Sequence, residues 1–179
     1  MDQKIKKIQI AVLGSHRDNL PKEIYELTYK IGTFVAQNNF VLITGASSGI
    51  SKYAAKGAKD NKGFVVAVSP RNNSQDKTKF TIDESDSDAI IYTGMGYKGR
   101  NIITVRSADV VIIVNGGFGT LNEVAIAEGE NKVIITLLGS GGCADMLPGI
   151  FEKINPKYRK FFKVKNIEEL KKVIGKMKF

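Results

Sequence analysis

The sequence predicts an α/β protein built on a single doubly wound parallel sheet. Three observations predict it: short Val/Ile-rich runs that are apolar on both faces, helical patterns between them, and glycine-rich turns closing four of the runs. A parallel strand is covered by helices on both sides, so it reads as a continuous apolar run rather than as an alternating one. Right-handed crossovers then wind the chain outward from a central strand. The 179 residues fit one domain, residues 1–179, with neither an internal repeat nor a dividing linker.

The elements follow in order. Residues 8–13 form a first strand ending at Gly14-Ser15. After Pro21, which suits a first helical turn, Ile24, Leu27, Ile31, Phe34 and Val35 recur at steps of three and four until Asn38-Asn39 stops the helix. Residues 40–44 form a second strand, followed by Gly45-Ala46-Ser47-Ser48-Gly49 and a small-residue helix containing Ala54, Ala55 and Ala58. Residues 64–68 form the third strand. Residues 69–88, polar and with Pro70 at the start, read as a long loop or a partly disordered excursion. A fourth strand spans 89–92, a helix 98–106, and a fifth strand 110–114 ends at Asn115-Gly116-Gly117-Phe118-Gly119-Thr120. A helix runs from there to about residue 130, and a sixth strand over 133–137 ends at Gly139-Ser140-Gly141-Gly142. The remainder holds a short segment at 161–164 and a helix carrying Leu170, Val173, Ile174 and Met177.

Composition excludes several classes. With 42% hydrophobic and 25% charged residues the chain is neither disordered nor fibrous. One cysteine, Cys143, excludes an internal disulfide framework, and with one histidine, His16, it excludes a Cys/His zinc site; no metal site is predicted. No apolar run approaches the roughly 18 residues of a membrane helix, and the opening residues do not form a signal peptide, so a cytoplasmic protein is expected. The net charge of +9 is concentrated at residues 151–179, which carry ten Lys/Arg against three Asp/Glu. Aromatic residues do not alternate with these cations as a nucleic-acid stacking platform requires, so a solvated lysine-rich face is expected there.

The function lies in the glycine loops. Parallel strands all end on one edge, so the four loops converge on one rim, where such sheets bind ligands. Glycine brings backbone N–H groups close to a phosphate, and the following helix N-terminus adds unpaired donors and a positive dipole end. A phosphorylated ligand, a nucleotide in particular, is expected against Gly14, Ser15, Gly45, Ala46, Gly49, Gly116, Gly117, Gly119 and Thr120. The dinucleotide fingerprint fails at Gly14-Ser15-His16-Arg17, and the spacing after Gly45 fails the P-loop pattern.

The run Gly116-Gly117-Phe118-Gly119-Thr120-Leu121-Asn122-Glu123, with Arg100 fifteen residues before Asn115, resembles the Lonely Guy family over residues 8–147. The resemblance implies a Rossmann-like sheet, a homo-oligomer (a dimer or tetramer), no required cofactor, and hydrolysis of nucleoside 5′-monophosphates to a free base and ribose 5-phosphate. Asn115 stands where that family has proline. The Gly139–Gly142 loop, with Thr93-Gly94-Met95-Gly96, is more similar to a sister branch that includes the molybdenum-cofactor carrier proteins. That branch implies the alternative: a non-catalytic carrier with molybdenum cofactor or another phosphorylated ligand as cargo. DNA-processing protein A is a more distant relative, and a nucleic-acid-binding module is the third reading.

Arg100 and Glu123 are the candidate catalytic residues. Glu123 is expected in the first turn of its helix, where it would hold ribose hydroxyls or orient a water against a loosening glycosidic bond. The alternative is a capping box formed by Thr120 and Glu123. Arg100 would meet phosphate or the carboxylate. Arg106 reads as a partner of Asp109 or as helix-end packing, His16 as a solvated rim residue, and Cys143 as a small packed side chain.

Overall fold

The computed structural model describes residues 7–76 and 84–177. The apolar runs become strands β1 (Gln9–Gly14), β2 (Val41–Thr44), β3 (Phe64–Ser69), β4 (Ala89–Tyr92), β5 (Val110–Val114), β6 (Val133–Leu137) and β7 (Phe161–Val164). Helices α1 (Lys22–Gln37), α2 (Ile50–Asp60), α3 (Gly96–Arg106), α4 (Phe118–Gly129), α5 (Gly142–Ile154) and α6 (Ile167–Gly175) connect or follow them, and residues Glu84–Asp86 form a 3-10 turn. The sheet runs β4-β3-β2-β1-β5-β6-β7. Every neighbouring pair is parallel, which is the predicted architecture.

Alternation within the strands builds two cores. Ile10 and Val12 of β1 face one side, together with Ile31 and Val35 of α1, Ala54 and Ala58 of α2, and Leu170 and Ile174 of α6. Ala11 and Leu13 face the other, with Val105 of α3, Val124 of α4 and Leu147 of α5. The lysines of the basic C-terminal stretch, Lys171, Lys172 and Lys176 among them, are exposed, as expected for a solvated face; Lys178 lies outside the described residues. Among the described residues, no helix is long and apolar enough to cross a membrane.

Two features depart from the pattern read in the sequence. The segment at 161–164 joins the sheet as its seventh strand, pairing with β6 from Ile134 opposite Phe161 to Leu137 opposite Val164. Residues 142–154, where no helix is predicted, form α5, which contains Pro148. Proline has no N–H and so leaves the carbonyl four residues back without its helical partner. That carbonyl belongs to Ala144, and the Thr136 hydroxyl of β6 donates to it at 2.8 Å. Both residues are fully buried. In the long loop expected at 69–88, residues 70–76 are irregular and are gathered around Arg71, which donates to the Ser74 and Asp76 carbonyls at 3.4 and 3.3 Å. Residues 77–83 of that expectation lie outside the described residues.

The Thr136 bond yields a test. Thr136→Val keeps the shape but leaves a buried carbonyl without a donor, and should lower the unfolding free energy by about 1–3 kcal/mol. Urea denaturation of parent and variant measures this; an unchanged midpoint would show that α5 tolerates its proline unaided.

Candidate functional site

The strand order places a gap in the protein's upper rim. β1 is followed in sequence by β2 on one side, but its other neighbour is β5, so the loops leaving β1 and β5 diverge. A cavity of about 640 Å³ opens between them. Its wall consists of residues 14–17 and Leu20 after β1, Ser47 after β2, Tyr97, Lys98, Arg100 and Asn101 of α3, residues 115–120, Glu123 of α4, and Gly142.

Arg100 and Glu123 meet in this wall. Arg100 Nη1 donates to Glu123 Oε1 at 3.0 Å and to Asn101 Oδ1 at 2.9 Å. Both partners of the ion pair are buried, at 6% and 5% exposure. A second strut lies beside them, from Asn101 Nδ2 to Asn122 Oδ1 at 2.9 Å. Burial pushes the Glu123 carboxyl up to about 7, against the opposing pull of Arg100. Arg100 Nε is buried, and no group among the described residues accepts a hydrogen bond from it. The guanidinium lies against Gly45, where any Cβ would collide with it. Gly45 therefore serves Arg100 and is not part of the cavity wall.

The four glycine loops have different roles. At the start of α2, the Gly49 N–H donates to the Asp18 carboxylate at 3.1 Å and the Ile50 N–H to the Ser15 carbonyl at 2.9 Å. At the start of α5, Asp145 accepts from the N–H groups of Gly139 and Gly141 at 2.7 and 3.1 Å. The protein's own carboxylates and carbonyls thus occupy donors expected to meet a ligand. The loop after β5 is held from behind. Asn115 Nδ2 donates to the Ser140 carbonyl at 2.7 Å, the Asn115 N–H donates to Ser140 Oγ at 2.8 Å, and Asn115 Oδ1 accepts from the Gly116 N–H at 2.6 Å. The Cys143 N–H donates to the Gly116 carbonyl at 2.8 Å. Beyond this brace, Gly117 is the N-cap of α4, and among the described residues no side chain caps it. The N–H groups of residues 117–120 have no acceptor within the helix.

Of the predicted residues, Gly14, Ser15, Arg100, Gly116, Gly117, Gly119, Thr120 and Glu123 line the cavity, whereas Gly45, Ala46 and Gly49 do not. The capping-box alternative fails: α4 begins at Phe118, two residues before Thr120, which puts Glu123 in the second turn rather than the first. Its carboxylate pairs with Arg100 instead. Arg106 pairs with Glu130 at 2.7 Å, while Asp109 accepts the Gln9 N–H at 2.9 Å. His16 is exposed at the rim. Cys143 is buried, and that burial, reinforced by the Glu123 charge, pushes its thiol up to about 11. Sequence reasoning missed Arg17, Leu20, Tyr97, Lys98, Asn101 and Phe118 as wall residues. For Asn101 and Phe118 the available signal was adjacency to Arg100 and to the glycine pair.

Comparison with known proteins follows the same outline. The model of the SLOG cluster4 family matches residues 7–171. An uncharacterized protein of Archaeoglobus fulgidus is 38% identical over 133 residues, which is 74% of this chain and 82% of that protein. The molybdenum cofactor binding protein of the phototrophic bacterium Rippkaea orientalis has a TM-score of 0.78 and 28% identity, covering 96% of this chain and 97% of its own. The molybdenum cofactor carrier protein of Chlamydomonas reinhardtii shares the fold with a TM-score of 0.76 and 24% identity, over 96% of this chain and 100% of its own. The likeness falls in the branch to which the loops at 93–96 and 139–142 pointed. With a family match running from β1 into α6, the chain belongs to the SLOG cluster4 family.

Proposed function

We propose that the chain binds a phosphorylated small molecule, of nucleotide or pterin type, in the cavity between β1 and β5. One observation carries this reading. At Gly117 and Gly119 an added Cβ would meet no atom of the described residues within 4 Å. Neither residue has a positive φ. The fold asks for glycine at neither position, yet both flank the uncapped start of α4 in the cavity wall. Small residues there leave the backbone N–H groups open to phosphate oxygens, and the helix dipole favours the negative charge. Arg17 and Lys98 add positive charge to the same wall. The molybdenum-cofactor binding and carrier neighbours support a cargo role, in which these groups hold the phosphate and the ligand leaves unchanged.

A second reading rests on Glu123. Its carboxylate stands in the cavity wall, oriented by Arg100, with a proton affinity matched to neutral pH. On a bound nucleoside 5′-monophosphate, ionised Glu123 takes a proton from water. The water oxygen bonds to C1′ as the C1′–N bond breaks, and the bond electrons leave with the base, which is then protonated. The products are free base and ribose 5-phosphate.

Three outcomes test these readings. Gly119→Asp places a carboxylate in the first turn of α4. It should weaken AMP binding at least tenfold in titration calorimetry while leaving the melting temperature unchanged or higher, because a negative charge there favours the helix. Unchanged AMP affinity would remove the anion site. Glu123→Gln keeps an acceptor for Arg100 and should keep AMP binding, but base release should fall by about 10²–10⁴-fold. Equal turnover in both proteins would end the catalytic reading, and clear binding without turnover in the parent would leave the cargo role.

The third outcome concerns pH. The folded-state proton affinity of Glu123 is raised, from 4.5 to about 7, so the native protein holds a proton that the unfolded chain has already lost. This contribution to stability is complete below about pH 4.5 and is lost as pH rises through about 7. Relative to Glu123→Gln, the denaturation midpoint of the parent should therefore fall across that window; parallel pH curves for the two proteins would contradict it.

A further inference from the structure

Phe118, the first residue of α4, is 92% exposed and lines the cavity. A lone exposed phenylalanine needs no explanation, but this one stands among a set. Tyr97, at 39% exposure, and the half-buried Leu20 share the wall. The glycines on either side of Phe118 leave open space around it. The cavity wall therefore carries apolar and aromatic side chains as well as the start of α4 and the Arg100–Glu123 pair. Along the outer face of α4, the residues after Phe118 at helical spacing are Asn122, Ala125 and Gly129, which offer no apolar stripe to a partner helix. A flat, uncharged group belonging to the cavity's own ligand fits these side chains.

We propose that Phe118 is a stacking platform for a planar heteroaromatic ring on the phosphorylated ligand, so that the site takes ring-bearing phosphates and discriminates against the same phosphate without a ring. This rests on the anion-site reading above and names the residue that recognises the ligand's ring. Purine and pterin rings share the chemistry: both are planar, fused and polarised, and both stack on an exposed aromatic face. The ring's phosphate lies on the N–H groups at the start of α4, and Phe118 covers one face of the ring.

Binding is measured for AMP, a pterin phosphate and ribose 5-phosphate. AMP or the pterin phosphate should bind about 10–100-fold more tightly than ribose 5-phosphate, and Phe118→Ala should erase that advantage while leaving ribose 5-phosphate affinity unchanged. The chain contains no tryptophan. Phe118→Trp thus introduces a single reporter, whose fluorescence the ring-bearing phosphate should quench and ribose 5-phosphate should not. Whichever of the two rings binds more tightly identifies the ring. Equal affinity for ribose 5-phosphate and both ring-bearing ligands would overturn the stacking role and leave the anion site standing; failure of all three to bind would overturn both. If Phe118→Ala lowers the mass in solution from dimer to monomer with AMP affinity intact, Phe118 is an interface residue and the proposal fails.

Discussion

The buried pair between Arg100 and Glu123 is the constraint around which the site is arranged. Such pairs seldom add net stability, because two charges must leave water to form them. What this one fixes is position. It ties α3 to α4, the two helices whose first turns supply Tyr97, Lys98 and residues 117–120 of the cavity wall. Its guanidinium needs the space that Gly45 leaves at the end of β2, so three loops are registered against one side chain.

Much of the fold was readable because parallel strands buried on both faces have a distinctive composition. β4, β5 and β6 begin and end where the apolar runs do. α5 was hidden because Gly142, Pro148 and Gly149 all argue locally against a helix. Its burial pattern, with Cys143, Ala144, Leu147 and Phe151 on one face, was the contrary signal. A threonine 12 residues before the proline reaches the orphaned carbonyl, a pairing between strand and helix that no local rule contains. The first-turn placement of Glu123 failed for a related reason: the N-cap of α4 is Gly117, which has no capping side chain and lies three residues ahead of Thr120.

The candidate site was legible in its centre and not in its surroundings. Arg100, Glu123 and the loop after β5 carry a dense pattern of charge and glycine, and the switch in strand order brings them together. The loops after β2 and β6 looked equivalent in sequence because glycine content does not reveal what its N–H groups will meet. Asp18 and Asp145 decide that question: each sits where an incoming anion would, one from the preceding loop and one from within the helix itself. Asn115 likewise looked like a departure from a pattern, whereas its side chain bridges two loops and turns the Gly116 N–H inward.

Gly117 and Gly119 carry an evolutionary consequence. Both are positions where the fold accommodates a side chain, and replacing glycine by alanine at such positions commonly raises stability by about 0.4–1 kcal/mol, chiefly by narrowing the unfolded ensemble. Selection for heat resistance alone would therefore drive these two residues toward alanine, and a lineage that keeps them must be under a demand that opposes thermostability. Engineering by consensus or by thermal screening would move the protein the same way, producing sturdier variants with two methyl groups added to the cavity wall.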